Sequence, residues 1–408
     1  MMPRNSSRRV VAALTAVWLL QSAAAGAMLP FIVIWAHRVV DLGGPSAGVL
    51  FVVQAVGEFA AGLAAGSLAD RVGHRRLLVV STAGMVVGYG LLGVATAPVP
   101  AIALFLLAGV FESAFHPNVF ALIGDTVADD DLPRAFSVVR IGANVGGVLG
   151  PLLGAAAALA SLRAVFGVTG GLLVLAVVAE CVLIPRTVVS QPDDDDEPEI
   201  PPGTLRALRT DGRLALLVLV GGVLSIAFTW WEADGLVLLR RQHALGASAY
   251  AALFTIGAVA VIAFQLPVTR LIRDLSTRAA LAIGVLVQAA GLAVLLLAGL
   301  GYAVLVVAVV LMSAGQMIYG PTLQTFVTRR AGPRRQASYQ ASLSITEDVG
   351  TAVGPVTGLA LGAAFGSVAV WCVGALACAG AGVVARLAAS SESEPESDEV
   401  PAARAARS

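Results

Sequence analysis

Nine ionisable side chains stand inside stretches too apolar to expect them: Glu58, Glu112, His116, Arg140, Glu180, Glu232, Asp234, Glu347 and Asp348. A charge at the centre of a bilayer costs about 2.5–3.5 kcal/mol on insertion scales, so one that persists faces a cavity or a partner. Glu112 and His116 are four residues apart and share a helical face, as do Arg140 and Asn144. If those two faces meet, Arg140 pairs with Glu112. Two chemistries fit such a pair: an ion pair that locks a helix bundle, or a carboxyl that gains and loses a proton with His116 tuning it. Glu112, His116, Arg140, Glu232, Asp234 and Asp348 are thus the proton-coupling candidates. The run "FTWWEADG" sets Trp230 and Trp231 beside Glu232 and Asp234. That is either a seat for a lipophilic cation or a pair of interfacial tryptophans with exposed acids. Gln21, Glu58, Asn144, Trp230, Trp231 and Gln316 are the candidates for a cavity wall, and Glu180, near a helix end, reads as interfacial.

The elements that position these groups are membrane helices. The chain has 408 residues, 58% hydrophobic and only 13% charged, about half the charged share of soluble domains. Roughly twenty apolar residues span a bilayer, and twelve such runs occur near 10–36, 46–69, 76–96, 98–125, 135–160, 163–184, 213–239, 247–273, 277–298, 302–328, 335–362 and 366–388. Arginine placement orients them. With both termini on one side, the loops and tails of that side carry 21 arginines, and the other side carries Arg38, Arg163, Arg240 and Arg241. The arginine-rich side is expected to be the cytoplasm of a bacterial cell, the chain crossing its plasma membrane many times. Arg8 and Arg9 before an apolar run resemble a secretory leader, but further spans follow at once, so a retained first span is expected.

Several functions are disfavoured by composition. All 26 basic residues are arginine, so neither a P-loop lysine nor a Schiff-base lysine exists. Formal charge is zero, which gives no footprint for nucleic acid. Cys181, Cys372 and Cys378 lie in apolar runs without a CxxC spacing, so no metal or disulfide site is expected, nor any cofactor. "GPSAG" at 44–48 matches a nucleophile elbow, but it opens a helix from a short loop and has no strand before it, so Ser46 reads as a cap. No enzymatic role is expected.

A shift of 204 residues lays Asp70 on Asp274, Pro117 on Pro321, Gly146 on Gly350, Gly150 on Gly354, Pro151 on Pro355 and Gly154 on Gly358. Near the start the shift is 203. A repeat over this length divides the chain into two six-helix halves of like orientation. We therefore expect an N-terminal bundle over 1–186, an acidic, proline-rich linker over 187–212, a C-terminal bundle over 213–388 and a disordered tail over 389–408. The small residues of "GGVLGPLLG" and "GTAVGPVTG" fall four apart along one helical face, where they let backbones approach closely: Gly146, Gly150, Pro151, Gly154, Gly350, Gly354, Pro355 and Gly358.

Between spans two and three, Gly66, Leu68, Asp70, Arg71, Gly73 and Arg75 match the loop pattern GxLaDrxGrk, with His74 where a basic residue is usual. By this motif and the repeat, the chain resembles the major facilitator superfamily. The resemblance implies an all-α polytopic fold of twelve helices in two six-helix bundles, with a central cavity exposed alternately to each side. It further implies that Asp70 meets a helix N-terminus of the other half when the cavity faces outward, with the arginines helping to hold it; a plain retention signal is the alternative. "GGVLGPLLG" is similar to the fifth-span signature of the drug/proton antiporter branch, although Ala155 replaces its last glycine and no arginine stands early in span four. The resemblance implies a secondary active transporter, acting as a monomer in the lipid bilayer, exporting an amphipathic small molecule such as an antibiotic in exchange for protons. The alternatives are a proton-linked importer of a small polar solute and a non-transporting membrane receptor or assembly factor.

Overall fold

In a computed structural model of the chain, the described residues are 4–42, 48–185, 204–235, 247–331 and 335–388. Nearly all of them are helical, and no strand occurs among them. Among the described residues, twelve helices are long and apolar enough to cross a membrane. In the first half they are α1 (Ser6–Val39), α2 (Gly48–Val72), α3 (His74–Val94), α4 (Pro98–Thr126), α5 (Asp129–Ala160) and α6 (Leu162–Leu183). In the second half they are α7 (Gly212–Glu232), α8 (Ala252–Leu271), α9 (Thr277–Leu300), α10 (Tyr302–Ala331), α11 (Gln336–Phe365) and α12 (Ser367–Ala388). The linker segment 186–203 and the tail 389–408 lie outside the described residues; the end of the expected linker is a short helix, Thr204–Thr210.

Each half builds its own apolar core. One is made wholly of residues between Val10 and Ile184, the other of residues between Ala207 and Ala388. Close backbone contact organises both. On α5, Cβ atoms added at Gly146, Gly150 and Gly154 would lie 2.2, 2.5 and 2.1 Å from the carbonyl oxygens of Leu19, Ala23 and Ala27 on α1. No side chain fits there, so the stripe sets the α1–α5 distance. Gly350 and Gly354 of α11 meet Ser225 and Thr229 of α7 in the equivalent place, and Gly358 is buried one turn on. Pro151 and Pro355 sit within α5 and α11 without ending them.

Two of the helices that depart from regular geometry bear on the site. The fourth span breaks at Ser113–Ala114 between Pro98–Glu112 and Phe115–Thr126, because Pro117 has no N–H for the Ser113 carbonyl and its ring crowds that turn. The other is α7, which closes in a wide π turn over Trp230–Asp234. Such turns are rare and concentrate at functional sites.

The halves meet mainly where α11 packs on α2 and on the second part of α4, and where α5 packs on α8 and α10. At one end of that seam the filling is small: Ala65, Ala69, Leu77, Ala114, Ala121 and Ala337 form a single buried cluster.

Candidate functional site

At the alanine-lined end of the seam, Asp70 reaches across from α2 to the start of α11. Its carboxylate accepts hydrogen bonds from Ala337 N at 3.0 Å, Ser338 N at 3.1 Å and Ser338 Oγ at 2.5 Å. These are unpaired amides of a helix N-terminus, whose dipole favours an anion. Gly66, one turn earlier, permits the approach: a Cβ there would lie 2.7 Å from Ser338 Cα. Behind Asp70, His74 bridges two acids, with Nε2 3.2 Å from Asp70 Oδ1 and Nδ1 2.7 Å from Asp125 Oδ2. The three side chains are 0–8% exposed. Gly73 (φ 99°) supplies the left-handed turn that starts α3.

The expected help from the arginines takes a different form. Arg75 donates from Nε to Ile184 O at 2.8 Å and from Nη2 to Cys181 O at 3.0 Å, capping the end of α6 rather than touching Asp70. Arg71 and Leu68 are exposed. The clamp therefore rests on His74, a ring short enough to fit between two buried carboxylates. The seal continues through Ser137 Oγ and Thr269 Oγ1, 2.7 Å apart, and through Arg329, which donates to Asp129 O at 3.0 Å.

Beyond the seal lies a cavity of about 1170 Å³ between the halves. Its wall runs to Leu29 of α1, Leu152 of α5 and Glu232 of α7, toward the helix ends remote from the clamp. Gln21, His116, Arg140, Asn144, Trp231, Glu232 and Gln316 line it. Arg140 extends over Gly320 and donates to Gln316 Oε1 on α10 at 2.9 Å. Trp230 turns away: it is buried, and its Nε1 donates to Thr357 Oγ1 at 3.0 Å. Glu58 and Asp348 lie outside the cavity wall, and the side chains of Asp234 and Glu347 are outside what the structure describes.

Glu112 does not meet Arg140. The break in α4 turns it into a small side pocket of about 70 Å³ that it shares with Gln21, Gln54 and Tyr89. There its carboxylate accepts from Gln21 Nε2 at 3.1 Å, Gln54 Nε2 at 3.3 Å and the Tyr89 hydroxyl. Gln54 Nε2 also donates to Glu58 Oε1 at 2.8 Å, so one amide spans both acids. Gln21 lines the pocket and the cavity alike. His116, on the far side of the break, packs at a tilt against Trp18 with ring centroids 5.1 Å apart. Gln21 thus stands where an Arg140–Glu112 pair was expected.

Gln54, Tyr89 and Asp125 are residues of the candidate site that the sequence reading did not name. A four-residue spacing linked Gln54 to Glu58, but nothing local tied Tyr89 or Asp125 to their partners, 23 and 51 residues away. Glu180 is also corrected: it is fully buried, not interfacial, and accepts from Thr82 Oγ1 at 2.6 Å.

The family model described as Major Facilitator Superfamily matches residues 11–355 and 235–408. Curated relatives include a Na(+), Li(+), K(+)/H(+) antiporter of Planococcus maritimus, 30% identical over 133 residues, 31% of each chain. The multi-drug resistance efflux pump PmrA of Streptococcus pneumoniae is 34% identical over 93 residues, 23% of each chain. The matched stretches thus span about a third or less of these relatives. Similar solved structures include the human organic anion transporter MFSD10 (TM-score 0.77, 17% identity, 94% of this chain and 100% of that one). The transporter FucP in its outward conformation has TM-score 0.75 at 16% identity, with 94% and 99% covered. A bacterial homologue of the iron transporter ferroportin, in its outward-facing state, has TM-score 0.76 at 16% identity, with 93% and 99% covered. The structural likenesses carry the fold, the family model carries the sequence, and the chain belongs to the Major Facilitator Superfamily.

Proposed function

We propose that this transporter exports an amphipathic small molecule in exchange for protons, with both termini in the cytoplasm of a bacterial cell. The observation that carries the reading is the side pocket: Glu112 sits off the central cavity, and Gln21 belongs to both. With the arginine-rich loops inside, the Asp70 clamp closes the cytoplasmic end and the cavity faces outward.

In that state Glu112 is one amide away from the cavity. When ionised it accepts from Gln21, Gln54 and Tyr89. Taking a proton converts one of its oxygens to a donor, and a glutamine amide can meet that change by presenting its oxygen instead of its nitrogen. Both protonation states can therefore be hydrogen-bonded without moving a helix. A proton entering down 100 mV and one pH unit releases about 3.7 kcal/mol, enough for a gradient of several hundredfold. The partners are the cargo, protons and the bilayer, and the working unit is the monomer.

The test is flux in everted vesicles carrying a preformed acid-interior gradient. Addition of an amphipathic cargo is expected to discharge the gradient with wild-type protein, and Glu112→Gln is expected to abolish the discharge at normal expression. Discharge unchanged by Glu112→Gln would remove Glu112 from the coupling role, and an opposite direction of flux would make the protein an importer.

A further inference from the structure

Among the described residues Arg140 is the one arginine in the cavity wall, and a cation within a membrane span is ordinarily paired. No acid among the described residues pairs with this one. Its only hydrogen bond among the described residues goes from Nη2 to the neutral amide oxygen of Gln316, and its Nε is buried without a partner. A guanidinium offers five donors in a planar fork that fits a carboxylate, sulfonate or phosphate edge. Gln316 fixes one arm of the fork, and Gly320 leaves room beside the other, where a Cβ would lie 2.9 Å from Nη1.

The surroundings of Arg140 are aromatic. Phe136, one helical turn before it on α5, packs edge-on to Phe120 at 5.7 Å between centroids, and Phe120 packs on Trp18 at 5.2 Å. All three line the same cavity. Among the described side chains, Glu232 is the only carboxylate in the wall, at the far mouth on the last turn of α7.

From this arrangement we propose that Arg140 is the anchor of an anion subsite, and that the cargo is an aromatic organic anion whose acidic group docks on the guanidinium while its rings lie against Trp18, Phe120 and Phe136. The inference rests on the transport reading above and narrows it, replacing the lipophilic cation that the Trp231–Glu232 pairing suggested. Because Arg140 and Gln316 belong to opposite halves, a docked anion touches both sides of the moving seam.

Binding is tested on the purified full-length protein by calorimetry with two probes of one shape and opposite charge, biphenyl-4-sulfonate and N-methyl-4-phenylpyridinium. The wild type is expected to bind the sulfonate at least about tenfold more tightly than the pyridinium. Arg140→Gln is expected to lose that preference through weaker sulfonate binding while its thermal unfolding midpoint stays near that of wild type, which certifies the fold, and Arg140→Lys to keep part of it. Without any substitution, biphenyl-4-sulfonate should slow phenylglyoxal modification of Arg140, read by mass spectrometry. Equal affinity for the two probes, sulfonate binding unaltered in Arg140→Gln, or no protection of Arg140 would each overturn the proposal. The same probe in liposomes separates it from the coupling scheme: sulfonate that binds through Arg140 but crosses without discharging a pH gradient supports the subsite and overturns proton exchange.

Discussion

Asp70 and Asp274 occupy the same place in the two halves, 204 residues apart, yet do different work. The Asp70 side chain is fully buried and holds the start of α11. Asp274 has its side chain 83% exposed beside Arg273, which is 74% exposed. The difference resides in the partner. Ala337, whose N–H binds Asp70, corresponds under the same shift to Pro133, at the second position of its helix and without an N–H to give. Just ahead of it stand Asp129, Asp130 and Asp131, three charges of the wrong sign for an incoming carboxylate. A duplicated acid becomes a clamp only where the facing helix terminus can donate, and the repeat kept that terminus on one side alone.

Breaking the clamp itself should give the largest effect. Asp70→Asn removes a charge that takes three hydrogen bonds from α11, and charge-assisted bonds contribute about 1.5–3 kcal/mol each. Transport is expected to fall at least about tenfold, while Asp274→Asn stays within about twofold. Comparable losses in the two variants would erase the distinction.

A subtler change copies the first half onto the second. Ala337→Pro deletes one of Asp70's donors at a helix position where Pro133 shows proline is tolerated. A loss of several-fold in transport rate is expected, smaller than for Asp70→Asn; a rate equal to wild type would mean that the Ala337 amide contributes nothing to closure.

The smallest effect concerns a second pair of equivalent contacts. In the second half Asp211 caps α7 and binds Arg330 at 2.5 Å. In the first half Ser7, next to the position that matches Asp211, donates to Thr126 O at 2.5 Å, a neutral bond in the place of an ion pair. Burial works against charge on Asp211, yet Arg330 and the Leu214 N–H together hold its carboxyl below the usual carboxylate range. A carboxyl lowered in the folded state contributes fully above its ordinary value of 3.8 and loses that contribution as pH falls toward its folded value. Asp211→Asn is expected to cost about 1 kcal/mol at neutral pH, discounted for partial exposure, and progressively less in acid. Ser7→Ala should cost less and show no such pH dependence. Thermal unfolding of both variants at neutral and acid pH checks this.

How much of this could be read from sequence follows from the range of the forces involved. Hydropathy and the 204-residue repeat expose the twelve spans because the bilayer imposes length and apolarity locally. The loop motif likewise pointed Asp70 at the opposite half. What stayed hidden depends on long-range geometry. The break at Ser113–Ala114 decides that Glu112 faces Tyr89 and not Arg140, and the signal for it, Pro117, sits four residues after Ser113 inside a single apolar-length span. The π turn at Trp230–Asp234 likewise puts Trp231 on the cavity and Trp230 against Thr357, though the two are neighbours in sequence. Charge pairs across helices need the rotation of each helix about its own axis, which apolar-all-round spans do not encode.

The central claim is that the two halves rock about the cavity, with the Asp70 end opening and closing. Pulsed electron-spin distances between labels at Val72 and Leu271, exposed positions at the ends of α2 and α8, follow that end directly in lipid nanodiscs. Two populations are expected in wild type, a short distance and a longer one, with Asp70→Asn moving weight to the longer. A single distance that ignores both Asp70→Asn and the addition of cargo would contradict the account.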